Sequence, residues 1–125
     1  MLAIGTNTTD AHPVIGMTMR QSKEKGTKLI VANPIEIGLV RSADIWLQHN
    51  SGSDVALLMG MARVIVDEGL EDKSFIESRC ENFEAFKDAL QAFPLEEVSR
   101  ITGVPEDKII KACNIFYTCY DCFLR

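Results

Sequence analysis

Three short polar stretches carry the residues whose types and spacing could do chemistry. The first, Gly5-Thr-Asn-Thr-Thr-Asp-Ala-His-Pro13, follows the apolar opening Met1–Ile4. A strand that turns sharply into a helix aims free backbone N–H groups at one point. The helix dipole adds positive potential there, so a phosphate is the expected guest. Gly5 allows close backbone approach, and Asn7 and the threonine hydroxyls can donate further hydrogen bonds. The stretch is not GxGxxG, which argues against ordinary NAD binding. Without a ligand it reads as a polar turn in which Asp10 or His12 caps the following helix.

The second stretch is Ala32-Asn33-Pro34, at the end of a short apolar run. In dinucleotide-binding folds this place holds an acidic residue that bonds ribose hydroxyls. Asn33 keeps acceptor capacity and loses the charge; Asn-Pro is equally a plain strand stop. The third is Ser51-Gly52-Ser53-Asp54. A carboxylate there can accept two hydrogen bonds from the N1–H and 2-amino group of guanine. It is also a helix start, with Ser53 as N-cap and Asp54 at the positive end of the dipole. No Ser/His/Asp order with nucleophile context is present, and His12 and His49 read as capping or surface groups. Cys80, Cys113, Cys119 and Cys122 are too sparse for a disulfide scaffold. Cys119-Tyr-Asp-Cys122 has CxxC form but lacks a fourth ligand nearby, so reduced thiols in a helical tail are expected rather than a metal site.

The elements that position these stretches follow from the pattern. Met1–Ile4, Lys28–Ala32 and Ala43–Leu47 read as short strands. Val14–Lys25 reads as a helix with Pro13 in its first turn and Gly26 at its end. Ile35–Ser42 is a connector or short helix. A helix runs from Asp54 to about Glu68 and stops at Gly69. Further helices are expected over Lys73–Cys80, Asn82–Ala92 with Asn82 as cap, Pro94–Gly103 and Pro105–Phe116. Strand–helix alternation predicts a parallel sheet with right-handed crossovers, hence a three-layer α/β domain with a helical C-terminal extension over residues 1–125. The polar stretches then line one sheet edge, where open α/β sheets bind ligands. Phosphate, ribose and base of one nucleotide would fall to loops one, two and three.

The chain has 125 residues, formal net charge −5 and 46% hydrophobic content, which excludes disorder. Residues 1–50 carry five basic and four acidic side chains; residues 51–100 carry five and eleven. An acidic chain without a basic block is a poor nucleic-acid binder. No apolar run reaches the roughly 18–20 residues of a membrane span, and no secretory signal is visible, so a cytoplasmic protein is expected. Between Val55 and Val66 only Gly60 and Arg63 are not plainly apolar. A helix apolar on nearly all sides needs cover on nearly all sides. That helix, an opening inside a strand and an apolar end give the expectation of a piece of a larger protein, or of a homo-oligomer associating through exposed apolar surface.

These motifs, in this order and spacing, resemble the molybdopterin oxidoreductase family. The resemblance rests on Gly5–Pro13, Lys28-Leu-Ile-Val-Ala-Asn-Pro34, Ala43-Asp-Ile-Trp-Leu47, Gly52-Ser-Asp-Val-Ala-Leu-Leu58, Val64–Ile76 and Ile101-Thr-Gly-Val-Pro105. It runs from residue 1 to about residue 113 and is strongest toward the alpha subunits of molybdenum- or tungsten-dependent formate dehydrogenases. It implies a Rossmann-like domain of the formate dehydrogenase/DMSO reductase kind, holding molybdopterin guanine dinucleotide. Carried over, Gly5, Asn7, Asp10 and His12 lie at the pterin–pyrophosphate side, Ala32, Asn33 and Pro34 by the ribose, and Gly52 and Asp54 by the guanine. The parent reaction would be oxidation of formate to carbon dioxide, with the remaining domains or subunits as partners. The family often has Asp-Pro-Arg where this chain has Asn33-Pro34-Ile35, so an expected charge pair is absent. A cysteine-rich iron–sulfur segment, a Cys or selenocysteine metal ligand and a second dinucleotide-binding domain have no counterpart here. The isolated chain is therefore expected to be inactive. The alternative is a stand-alone nucleotide-binding or protein-interaction module left by gene truncation.

Overall fold

A computed structural model describes residues 1–121, with side chains through Tyr117. Three strands, β1 (Leu2–Ile4), β2 (Ile30–Ala32) and β3 (Ile45–Leu47), form a parallel sheet in the order β1-β2-β3. The register aligns Ala3, Val31 and Trp46 across the sheet, and aligns Ile4, Ala32 and Leu47 at its C-terminal edge. Side chains alternate between faces along each strand, and the two faces build two separate cores.

On one face Ile30, Ala32, Ile45 and Leu47 join Leu57, Met61, Val64, Val98, Val104, Ile109, Ala112 and Cys113. These come from α3 (Asp54–Asp67), α6 (Leu95–Thr102), the turn after it, and α7 (Glu106–Asp121). Helices α4 (Lys73–Arg79) and α5 (Phe83–Leu90) lie between α3 and α6 in the chain, and α5 packs on α3. Arg63 ties that pair by donating from Nη1 to the carbonyls of Leu90 and Gln91, satisfying the end of α5. Helices α3 and α6 pack directly against each other at Gly60 and Val98. A Cβ built at Gly60 would lie 2.6 Å from Val98 Cγ1, so with valine at position 98 the glycine lets these helices meet this closely.

The opposite face carries Ala3, Leu29, Val31, Ile37 and Leu39, with Met19, Val40 and Trp46 packed against them. Its cover differs from the expected helical layer. The segment joining β2 to β3 forms only a short 3-10 turn, Val40–Ser42, and its Ile37 and Leu39 plug the sheet. Helix α2 (Pro13–Glu24) contributes Met19 and buries only Gly16. At the N-terminal edge the carboxylate of Asp44 accepts from Lys23 Nζ at 2.6 Å, Lys28 Nζ at 3.1 Å and the Leu29 N–H at 2.8 Å, pinning α2 and β2 to the start of β3.

Local details correct the sequence reading in three places. The first loop contains a helical turn, α1 (Thr8–Ala11), because the Asn7 carbonyl accepts from the Asp10 and Ala11 N–H groups. Ser53 stands before α3, but its hydroxyl donates to the Asn50 carbonyl at 2.7 Å instead of capping the helix. Asn82 stands before α5 in a left-handed conformation with no side-chain cap. Among the described residues no helix is long and apolar enough to cross a membrane. The side chains of Cys119 and Cys122 lie outside the described residues.

Candidate functional site

The parallel sheet sends β1, β2 and β3 into three loops at one edge, and hydrogen bonds join neighbouring loops. The Gly5 N–H donates to the Ala32 carbonyl at 3.1 Å, and the Asn33 N–H donates to the Leu47 carbonyl at 3.2 Å. The Asn33 amide reaches the Thr6 carbonyl at 3.5 Å. Loop three closes on loop one: a Cβ at Gly5 would stand 3.7 Å from Asp54 Oδ1. Gly5 has φ 59°, a left-handed conformation that glycine adopts without strain, and it leaves a bare backbone face beside the carboxylate.

Asn7 and Asp10 form a unit. Asn7 Nδ2 donates to Asp10 Oδ2 at 2.7 Å, while the buried Asn7 Oδ1 has no hydrogen-bond partner. A buried acceptor left without a donor costs about 1–3 kcal/mol, so this oxygen is suited to take one from a ligand. His12 is exposed before α2 and makes no side-chain cap, so the capping reading of Asp10 and His12 does not hold. Asn33 is buried and committed internally. Its Oδ1 accepts from the Ile35 N–H at 3.1 Å, and its carbonyl accepts from Trp46 Nε1 at 3.0 Å. The Pro34 carbonyl accepts from Gln48 Nε2 at 3.2 Å, and Ala32 is buried in the sheet. Loop two therefore offers a shaped edge with few free polar side-chain atoms. Gly52 is an exposed turn residue with φ 82°.

Asp54 opens α3, and its side chain is 44% exposed. Its Oδ1 lies 3.1 Å from Nε2 of His49, whose side chain is fully buried. His49 thus sits inside the protein, not at the surface or a helix cap as its isolated sequence position suggested. Its place just beyond β3 and five residues ahead of Asp54 was the available signal. Loop three is braced from behind by α6. The Asn50 N–H donates to the Thr102 carbonyl at 2.8 Å, and Asn50 Nδ2 donates to the Ile101 carbonyl at 2.9 Å. Buried Thr102 is fixed by its own hydroxyl, which donates to the Val98 carbonyl at 2.7 Å and accepts from the Val104 N–H at 3.2 Å. The assembled edge therefore offers a bare glycine backbone, one unsatisfied amide oxygen and one oriented carboxylate. Among the described residues no group of three or more His, Cys, Asp or Glu side chains could hold a metal ion.

Comparison with known proteins matches residues 1–114 to the family described as molybdopterin oxidoreductase. The alpha subunit of an F420-dependent formate dehydrogenase from Methanocaldococcus jannaschii is 39% identical over 116 residues, covering 93% of this chain and 17% of that protein. Formate dehydrogenase H of Escherichia coli is 35% identical over 116 residues, covering 93% of this chain and 16% of that protein. Among solved structures, acetylene hydratase from Pelobacter acetylenicus superposes with a TM-score of 0.84 at 39% identity, over 90% of this chain and 16% of that one. The chain thus spans about one sixth of the length of these relatives.

Proposed function

The chain belongs to the molybdopterin oxidoreductase family, and from that membership we propose that residues 1–125 form one Rossmann-like domain holding the guanine dinucleotide end of a molybdopterin cofactor in a formate dehydrogenase-like alpha subunit. The observation that carries the reading is the apposition of Gly5 and Asp54 across the C-terminal edge of the sheet. The residues present fit the group. The bare Gly5 backbone admits a pyrophosphate or pterin edge at van der Waals distance. Asn7 Oδ1 needs a donor, which a pterin N–H or a ribose hydroxyl supplies. Asp54 Oδ2 and the second lone pair of Oδ1 are available to paired guanine donors. Asp10 serves in this reading by holding Asn7, since its own charge repels a pyrophosphate. Ala32, Asn33 and Pro34 serve as the ribose wall through shape, and Gly52 and exposed His12 flank the two ends.

When bound, the cofactor supplies the metal at which the parent enzyme exchanges two electrons with its substrate. This chain's residues bind and orient the nucleotide. The relatives are named for formate dehydrogenases and for acetylene hydratase, so we assign formate oxidation to the parent and not to this edge, and we expect no turnover from the chain alone. The partners in this reading are the remaining domains or subunits of the parent, in the cytoplasm. Exposed Val55 and Leu58 on α3, with Val14 and Ile15 on α2, are apolar surface for such partners. In isolation, copies of the chain are expected to associate through the same surface.

Titration of the 125-residue chain with GDP and ADP tests the reading. Each hydrogen bond left unpaired costs about 1–3 kcal/mol, so GDP should bind at least about tenfold tighter than ADP. Asp54→Ala should erase that difference. Equal affinities in the unaltered chain would overturn the assignment of the base site.

A further inference from the structure

We infer that His49 is the positioning residue of the proposed guanine site: it fixes the Asp54 carboxylate in the rotamer that presents both oxygens to the base. The inference rests on the assignment of Asp54 to guanine and goes further in naming what orients it. Three observations support it. The His49 side chain is fully enclosed, so it cannot touch a ligand itself and acts only through what it bonds. Its Nε2 lies 3.1 Å from Asp54 Oδ1, and the Asp54 side chain is 44% exposed, so the bond links the buried interior to a solvent-reached side chain at the sheet edge. The ring is enclosed against the end of the strand, with Nδ1 3.4 Å from the carbonyl of Leu47, the last residue of β3, so Asp54 is the partner left for a donated Nε2–H.

The chemistry follows from these contacts. A carboxylate acceptor selects the ring form that carries hydrogen on Nε2. The donated hydrogen bond occupies one lone pair of Oδ1 and stops rotation about the Cβ–Cγ bond. An exposed aspartate at a helix start would otherwise turn inward toward the N–H groups of its own first turn. Held by His49, it keeps Oδ2 and the second lone pair of Oδ1 facing outward. Two fixed acceptors match the N1–H and 2-amino group of guanine together. Inosine, which lacks the 2-amino group, leaves one acceptor unpaired.

The test compares GDP, IDP and ADP binding in the unaltered chain, in His49→Phe, which fills the space without donating, and in His49→Gln, whose amide can donate from nearly the same place. The unaltered chain should favour GDP over IDP by about tenfold. His49→Phe should bring that ratio within about twofold, and His49→Gln should restore most of it, which a loss of general stability would not do. Retention of the full ratio by folded His49→Phe would overturn the inference and leave the Asp54 assignment standing. Equal GDP and ADP affinities in the unaltered chain would instead remove the assignment itself. An independent readout comes from imidazole nitrogen resonances, since the chain has two histidines. Asp54→Ala should move the His49 Nε2 resonance and leave that of His12 in place. An unmoved His49 signal would refute the contact.

Discussion

Replacing Gly60 with alanine tests the helix contact behind the proposed site. A methyl there would lie 2.6 Å from Val98 Cγ1, 2.9 Å from Cγ2 and 3.1 Å from Cβ. Ordinary contact begins near 3.4 Å, so α6 must retreat by about 0.8 Å. Turning the valine side chain gives no relief, because its Cβ is itself too close and Val98 is fully buried. Overpacking of this kind costs about 1–3 kcal/mol, while alanine in place of glycine gains about 1 kcal/mol of helix propensity. The expected net loss is about 1 kcal/mol, or roughly 3–6 °C in Tm for a chain of this size. Val98→Ala alone removes two buried methyl groups and should cost about 2 kcal/mol. In the double variant the new methyl occupies the vacated space, so Gly60→Ala should become stabilising in that background. Urea and thermal unfolding followed by circular dichroism would measure all four proteins, with an expected coupling of about 2 kcal/mol. A single Gly60→Ala variant more stable than the original, or strictly additive changes, would refute the close approach of α3 and α6.

Three further outcomes are expected. Burial raises the carboxyl pKa of Asp44, but the hydrogen bonds from Lys23, the Leu29 N–H and Lys28 outweigh it and bring it from 3.8 to about 2. A depressed folded pKa stabilises above the unfolded value. That contribution, at most about 2 kcal/mol because Lys28 is half exposed, should fade as pH falls from about 5 toward 2, and Asp44→Asn should flatten this acid limb in unfolding experiments. Burial, aided by the nearby charge of Glu68, pushes the Cys113 thiol up to about 12, so an alkylating reagent at pH 8 should label exposed Cys80 and spare Cys113 until the protein unfolds, as peptide mapping by mass spectrometry would show. Val55→Lys with Leu58→Lys should lower self-association of the isolated chain in light scattering without lowering its Tm, and an unchanged molar mass from an associated starting state would exclude this face as the contact.

The parallel strands and long helices were legible because each rests on local pattern. Lys28–Ala32 reads as a buried strand on its own, and the run after Asp54 is helical at any reasonable propensity. The caps were not legible, because Ser53 has two acceptable partners and the neighbouring Asn50 carbonyl wins it. The cover of the second sheet face was also hidden: Ile37 and Leu39 look like ordinary connector residues until the sheet offers them a place to bury. At the site, the order of the three loops followed from topology, so Gly5, Asn33 and Asp54 could be grouped before their contacts were known. The role of His49 could not, since a buried histidine and a surface histidine share the same letter and only the fold around β3 tells them apart. Asn33 looked available for a ribose, yet its amide is spent on Ile35 and Thr6, contacts that form only once loops one and two are brought together.

The bracing of loop three by Asn50 has a consequence for biosynthesis. Its partners, the carbonyls of Ile101 and Thr102, arrive about fifty residues later in the chain. At a synthesis rate of roughly 5–20 residues per second, several seconds separate the making of Asn50 from the making of its anchor. During that interval β1, β2 and β3 are already made, but the loop bearing His49 and Asp54 has nothing behind it. If this edge holds a nucleotide as proposed, its capture belongs to the end of this segment's production, and a nascent chain stopped before Thr102 would lack the brace behind loop three.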